Sequence, residues 1–206
     1  MKGYCMKKIP TLYVRLFDEH HNKTITRDVT LGMEWVLDGE GIATVKIDGS
    51  CCAVINGELY KRYDAKKGKT APAGAVPCCE PDPITGHWPH WVRVNAADPD
   101  DRWHVEAYKN TIDTYGELSD GTYEIIGPHF RGNPYNLEQD VLIKHGTEEA
   151  TVERTFDGIR RYLTTHAIEG LVFWKDGEPK CKIKRTDFGL PWPVSDAEAP
   201  KSDCAK

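Results

Sequence analysis

No run of this 206-residue chain approaches the roughly 18 consecutive apolar residues that a membrane-spanning helix requires. The opening stretch "MKGYCMKKIPTLYVRLF" has early lysines but neither an apolar h-region nor a small-residue cleavage site, so it reads as no secretory signal. A disulfide framework is also missing. The seven cysteines are odd in number and irregularly spaced, which points to reduced thiols in the cytoplasm. Excess positive charge is absent as well, with 27 Lys and Arg against 32 Asp and Glu. A net charge of −5 excludes a protein that coats nucleic acid indiscriminately. There is no internal repeat and no linker. One domain is expected over residues 1–193, followed by a polar, disordered tail over 194–206.

What is present is a soluble composition, 39% hydrophobic and 29% charged, long enough to bury a proper core. The positive charge that exists is clumped. "KRYDAKKGK" (61–69) and "KCKIKR" (180–185) are either solvated faces or phosphate contacts. "TLYVRLF" (11–17) alternates like a strand. Three short strands follow over 42–47, 50–55 and 58–63, separated by Asp48-Gly49 and Asn56-Gly57, which are strong hairpin signals. Residues 70–101, rich in Pro, Gly and Asp, read as a long loop excursion, either functional or mobile. "TYEIIG" (122–127) is a strand. Thr147 is a candidate cap for a helix that aligns Val152, Phe156, Ile159 and Leu163. "LVFWKDGEPKCKIKR" (171–185) is a second hairpin, turning at Asp176-Gly177.

Two-residue turns fix which residues face each other. In the first meander Lys46 is expected opposite Cys51, and Cys51 opposite Arg62, in one row; Val45, Ile47, Cys52, Val54, Leu59 and Tyr63 point to the core. In the second hairpin Leu171 is expected opposite Lys182, and Glu169 opposite Lys184. Glu169, Leu171, Phe173, Lys180, Lys182 and Lys184 would then share an open face, and Val172, Trp174, Cys181 and Ile183 an apolar one. Glu169 with Lys184 is either part of a site or an exposed cross-strand ion pair worth ~0.2–1 kcal/mol. Lys46 beside Arg62 has no such bland reading, because like charges in a row gather most naturally around an anion.

The ordered series "KIDG" (46–49), Arg62, "YEIIG" (123–127), "IEGLVF" (168–173) and "KIK" (182–184) resembles motifs I, III, IV and V of the covalent nucleotidyltransferases. That superfamily comprises ATP-dependent DNA and RNA ligases and mRNA capping enzymes. "KIDGSCC", "GHWPHWV" (86–92), "EIIGPHFRGNPYNL" (124–137), "HG" (145–146) and "KIKRTDFGLPWP" (182–193) resemble one branch, the vertebrate-type RNA ligase 1 family and its bacterial and viral relatives. The resemblance implies an α+β adenylation domain of antiparallel sheets with flanking helices. It implies a ligase that joins RNA 5′-phosphate and 3′-hydroxyl ends through lysyl-AMP and adenylylated RNA.

By the same resemblance Lys46 is the nucleophile toward ATP, and Asp48 supports the later steps. Arg62 contacts phosphates or the RNA 5′-phosphate, and Glu124 holds the ribose hydroxyls. Glu169 is the acid associated with a catalytic Mg²⁺ (or Mn²⁺), and Lys182 and Lys184 grip the α-phosphate. A lysine of ordinary pKa ~10.4 is neutral in only about one molecule in 2,500 at pH 7, and neighbouring cations raise that fraction. Because only a short tail follows Lys184, a bare catalytic domain is expected. It would be a monomer without membrane contact, and the 61–69 run and 70–101 loop would be the likeliest RNA contacts. No adenine-stacking aromatic is evident in "VLIKHG" (141–146), and Phe173 is a candidate for it. Cys78, Cys79, His87 and His90 are either loop residues or a poorly spaced zinc set. Trp88, Trp91 and Trp103 either pack the loop down or stack on bases. Two alternatives stand beside ligation. One is a capping-type guanylyltransferase using GTP; the other is a catalytically idle nucleotide- or RNA-binding module.

Overall fold

Asn56-Gly57 and Asp176-Gly177 both place two successive residues at positive φ (52° and 75°, 55° and 74°), the demand of a type I′ turn, and each closes the hairpin expected of it. A computed structural model describes residue 4 and residues 6–20 and 22–194. The expected tail lies, from residue 195 onward, outside the described residues. Strands are β1 (Tyr13–Phe17), β2 (Lys23–Val29), β3 (Ile42–Lys46), β4 (Ser50–Ile55), β5 (Glu58–Ala65), β6 (Val76–Pro77), β7 (Trp88–Arg93), β8 (Gly121–Ile126), β9 (Val141–Lys144), β10 (Gly170–Lys175) and β11 (Glu178–Lys184). Helices are α1 (Arg102–Tyr115) and α2 (Phe156–Thr165). The fold is α+β with antiparallel sheets and few helices, as expected. No described helix is long and apolar enough to cross a membrane.

Contacts divide the chain into two units, each built from separated segments. Among the described residues, the first unit holds Asp48–His145 together with residues 4 and 6–8. Its sheet has six strands in the order β6-β7-β5-β4-β8-β9. One face carries Cys52, Val54, Leu59, Tyr123, Ile125 and Leu142 against Ala107 of α1. The other carries Ala53, Ile55 and Trp91. Two parts of this unit differ from expectation. The 70–101 segment is not a continuous loop, because β7 pairs with β5 along its whole length and buries Trp91 and His90. Helix α1 has no clear apolar stripe. Its inward positions include small Ala107 and Thr111, whose hydroxyl donates to Ala107 O (2.7 Å) and accepts from Leu142 N (2.9 Å).

Among the described residues, the second unit holds those of Ile9–Ile47 and of 146–194. It contains the β1–β2 pair and a three-stranded sheet, β11-β10-β3. Here the first meander fails. β3 pairs with β10 rather than with β4, so Lys46 stands opposite Gly170, not Cys51. The second hairpin turns where expected, but a bulge between Phe173 and Trp174 shifts its register by one residue. Leu171 therefore faces Ile183, and Phe173 faces Cys181; all four are fully buried among Leu12, Tyr13, Ile159 and Leu163. Phe173 is core, not an adenine platform, while Val172 and Trp174 stand on the face of Lys182. Helix α2 is capped by Thr155, whose hydroxyl accepts from Gly158 N (3.0 Å), rather than by Thr147.

Phe173→Ala is accordingly expected to cost about 3–5 kcal/mol of stability. Denaturant unfolding checks this; a variant of unchanged stability with weakened nucleotide binding would instead return Phe173 to the open face.

Candidate functional site

In the second unit, β3, β10 and β11 lie side by side, and their register lines up Lys46, Gly170 and Lys184 in one row. Gly170 is required there, because a Cβ would stand 2.1 Å from the carbonyl oxygen of Ile183. The preceding residue, Glu169, is only 3% exposed, and a buried carboxylate must be neutralised. Its Oε2 lies 2.5 Å from Lys46 Nζ, and its Oε1 accepts from Lys184 Nζ. Of the residues expected on the open face, Leu171 and Phe173 are core instead, while Glu169 takes both Lys46 and Lys184 of its own unit.

Lys182 faces Val172 two residues along β11. Burial, reinforced by the charges of Lys46, Lys184 and Arg15 and opposed by Glu169, pushes its pKa down to about 8. Three lysines around one carboxylate leave a surplus of positive charge. Behind them Asp187 is buried and takes Arg15 Nη2 (2.8 Å), Lys23 Nζ (3.1 Å) and the backbone N–H of Lys184 (2.9 Å). That carboxylate fixes the exit of β11. Arg15 and Asp187 lie in stretches that the sequence singles out, but their meeting with Lys23 escaped the reading because the three are distant in the chain.

In the first unit a different row spans β8, β4 and β5. Glu124 is opposite Cys51, and Cys51 hydrogen-bonds Arg62. Burial pushes the Cys51 thiol up, so it is a small neutral spacer between an acid and a cation rather than a nucleophile. Glu124 Oε1 accepts from Gly49 N (3.1 Å), and Oε2 takes His145 Nε2 (2.9 Å), whose Nδ1 meets the Thr122 hydroxyl (3.0 Å). Gly49 admits no side chain, since a Cβ would lie 2.1 Å from Ile125 O. Asp48 donates its backbone N–H to the Tyr135 hydroxyl (2.7 Å), and Arg131 Nε reaches Gly49 O (3.0 Å). His145 and Tyr135 were visible only as parts of the "HG" and "NPYNL" stretches.

The seven residues expected from the sequence thus fall into two sets. Lys46, Glu169 and Lys184 meet, with Lys182 beside them, in the second unit; Asp48, Arg62 and Glu124 belong to the first. Among the described residues no three His, Cys, Asp or Glu side chains group to hold a metal ion. The zinc reading of Cys78, Cys79, His87 and His90 gains no support. Trp91 follows the packing reading: it is buried, and its indole N–H donates to Tyr4 O (3.1 Å).

A test follows from Lys182. The folded chain releases this proton near pH 8, whereas the unfolded chain keeps it to about 10.5, so the unfolded state binds more protons between those values. Stability therefore rises with pH across that window, and below it the charged lysine is a cost. Lys182→Met should raise unfolding free energy at pH 7, on the order of 1–3 kcal/mol after allowance for solvent screening. The gain should shrink as pH climbs through the window. A gain independent of pH would contradict this electrostatic account.

No protein-family model matches the chain. It is similar to RNA ligase 1 from Danio rerio, 27% identical over 75% of this chain and 69% of that protein. It is likewise similar to RNA ligase 1 from Rattus norvegicus, 27% identical over 94% and 84%, and to that from Mus musculus, 26% identical over the same shares. These similarities, though low in identity, support a relation to the RNA ligase family.

Proposed function

We propose that the chain is an ATP-dependent RNA ligase with the adenylation fold of the covalent nucleotidyltransferases, and that Lys46 carries AMP between ATP and RNA. The observation that carries this reading is the pairing of the Lys46 ammonium with a buried carboxylate amid further lysines. A surface ion pair has no use for that surplus of cations, whereas a triphosphate does. Similarity to proteins named RNA ligase 1 supports the same class.

In the proposed reaction Lys46 Nζ attacks the α-phosphorus. The N–P bond forms as the bond to the bridging oxygen breaks, and pyrophosphate leaves with that electron pair. The ammonium must first lose a proton, and Glu169 Oε2, 2.5 Å away, is an acceptor within reach. Lys182 and Lys184 hold the α-phosphate oxygens. AMP then passes to an RNA 5′-phosphate, and a 3′-hydroxyl displaces it; Asp48 supports these later steps. Arg62 is assigned to a phosphate and Glu124 to ribose hydroxyls. Glu169 is one carboxylate, which suits Mg²⁺ that takes its remaining ligands from substrate phosphates and water. When bound, that ion would neutralise phosphate charge.

Intact mass after incubation with ATP and Mg²⁺ should show one added AMP, absent in Lys46→Ala. GTP in place of ATP should leave the mass unchanged; labelling by GTP instead would favour a guanylyltransferase. Glu169→Gln and Lys184→Ala should each slow AMP uptake ~10²-fold or more, while Lys175→Ala, at an exposed pair with Glu40, should not. An unlabelled wild-type chain, or labelling undiminished in Lys46→Ala, would overturn the proposal.

A further inference from the structure

In the first unit the pairing of β8 with β9 runs one residue past the end of β9, where His145 N donates to Thr122 O (3.0 Å). Thr122 and Glu124 are two residues apart on β8, so this extra pair sets His145 diagonal to Glu124 on the same side of the sheet. The three side chains line up. The Thr122 hydroxyl meets His145 Nδ1 (3.0 Å), and His145 Nε2 meets Glu124 Oε2 (2.9 Å). The backbone N–H of Gly49 holds the other carboxylate oxygen, Oε1 (3.1 Å). Imidazole and carboxylate are both largely covered, their side chains 19% and 13% exposed.

This arrangement holds whatever the charge on the ring. A carboxylate has no proton to give, so Nε2 carries the one between them. The hydroxyl at the other end can donate to a bare Nδ1 or accept from a protonated one, so both ring nitrogens are satisfied in either form. A histidine tied at both nitrogens cannot turn, and its Nε2–H, with Gly49 N–H, fixes the plane of the carboxylate. The cation of the same row, Arg62, pairs with Asp64 instead. Glu124 is therefore served by donors that give direction. Each of its oxygens has one protein donor and keeps a lone pair. Two acceptors on one rigid group match two neighbouring hydroxyls.

We infer that the Thr122–His145 pair sets sugar specificity: it holds the Glu124 carboxylate to receive both hydroxyls of a ribose, so that a ribonucleotide is preferred to its 2′-deoxy form. Thr122 and His145 are positioning residues, acting only through Glu124. That the diol is the ribose of ATP rests on the ligase reading above; the orientation of the carboxylate rests on these side chains and Gly49 alone.

The test is isothermal titration calorimetry of the full chain with ATP and with 2′-deoxy-ATP, without divalent metal so that no reaction follows binding. The wild type should bind ATP about 10-fold or more tighter, the effect of one hydrogen bond to a charged acceptor. His145→Phe fills the space without a donor and should bring the two affinities within about 2-fold. Thr122→Val keeps a β-branched strand residue but frees Nδ1, and should lower the preference about 3-fold. His145→Gln, whose amide N–H can replace Nε2–H, should keep most of it. A role in packing alone would weaken both nucleotides alike; a wild-type ratio in His145→Phe and Thr122→Val overturns the inference, and so does a wild type that binds the two equally. Intact mass separates this result from the ligase reading. A wild type that takes up no AMP, yet shows the preference and its loss in His145→Phe, removes the ligase reading and keeps the positioning pair. AMP uptake by the wild type, with the ratio unmoved in the variants, does the reverse. RNA ending in ribose or in 2′-deoxyribose gives the same comparison for the other source of a vicinal diol. A preference there that His145→Phe abolishes, with the ATP ratio unmoved, assigns the diol to the RNA 3′ end and overturns the ATP assignment.

Discussion

A carboxylate that is 3% exposed cannot stand alone, and the second unit is arranged around that constraint at Glu169. Two ammonium groups, from Lys46 and Lys184, reach it from the strands on either side of β10. They can do so only because the residue between them in the row is glycine. The third lysine then lacks a counter-ion of its own, which is why burial and its neighbours lower its proton affinity. The carboxylate neutralises part of the cation cluster and leaves a net positive charge beside it, at a local cost in stability.

The first unit solves a related problem differently. Its acid, Glu124, is held by a backbone N–H and an imidazole instead of by lysines, so it stays an oriented acceptor. The Asp48-Gly49 turn is tied to the same unit through Tyr135 and Arg131. Hydrogen bonds to the backbone carry no net charge into the sheet. The two units thus use carboxylates in two ways: one bracketed by lysines, one aimed by a backbone N–H and an imidazole.

Local chemistry was legible in the sequence wherever turns decide structure. Asn56-Gly57 and Asp176-Gly177 were readable because only a few residues tolerate positive φ twice in succession. Asp48-Gly49 carried the same signature but closes no hairpin. β10 competes for β3, and such a pairing more than a hundred residues away leaves no trace in a short window. Lys46, Glu169 and Lys184 were found together through an ordered resemblance rather than through the assumed register, which was off by one in the second hairpin. The row that joins Arg62 to Cys51 was anticipated; its continuation to Glu124, in place of Lys46, was not. The partners of Arg15, Asp187 and His145 were beyond reach, since only the fold brings them together. Helix α1 was hidden because its buried side is built from alanine and threonine as much as from large apolar residues.

The bulge between Phe173 and Trp174 acts on this hairpin as a parity bit. One extra residue on β11 decides that Cys181 and Ile183 are interior and that Lys182 and Lys184 are not. Any change of length between the turn and Lys182 by a single residue would invert that assignment, placing ammonium groups in the core and a cysteine and an isoleucine on the surface. A change by two would leave the parity intact. The lysines keep their place only while the number of residues before them keeps the same parity.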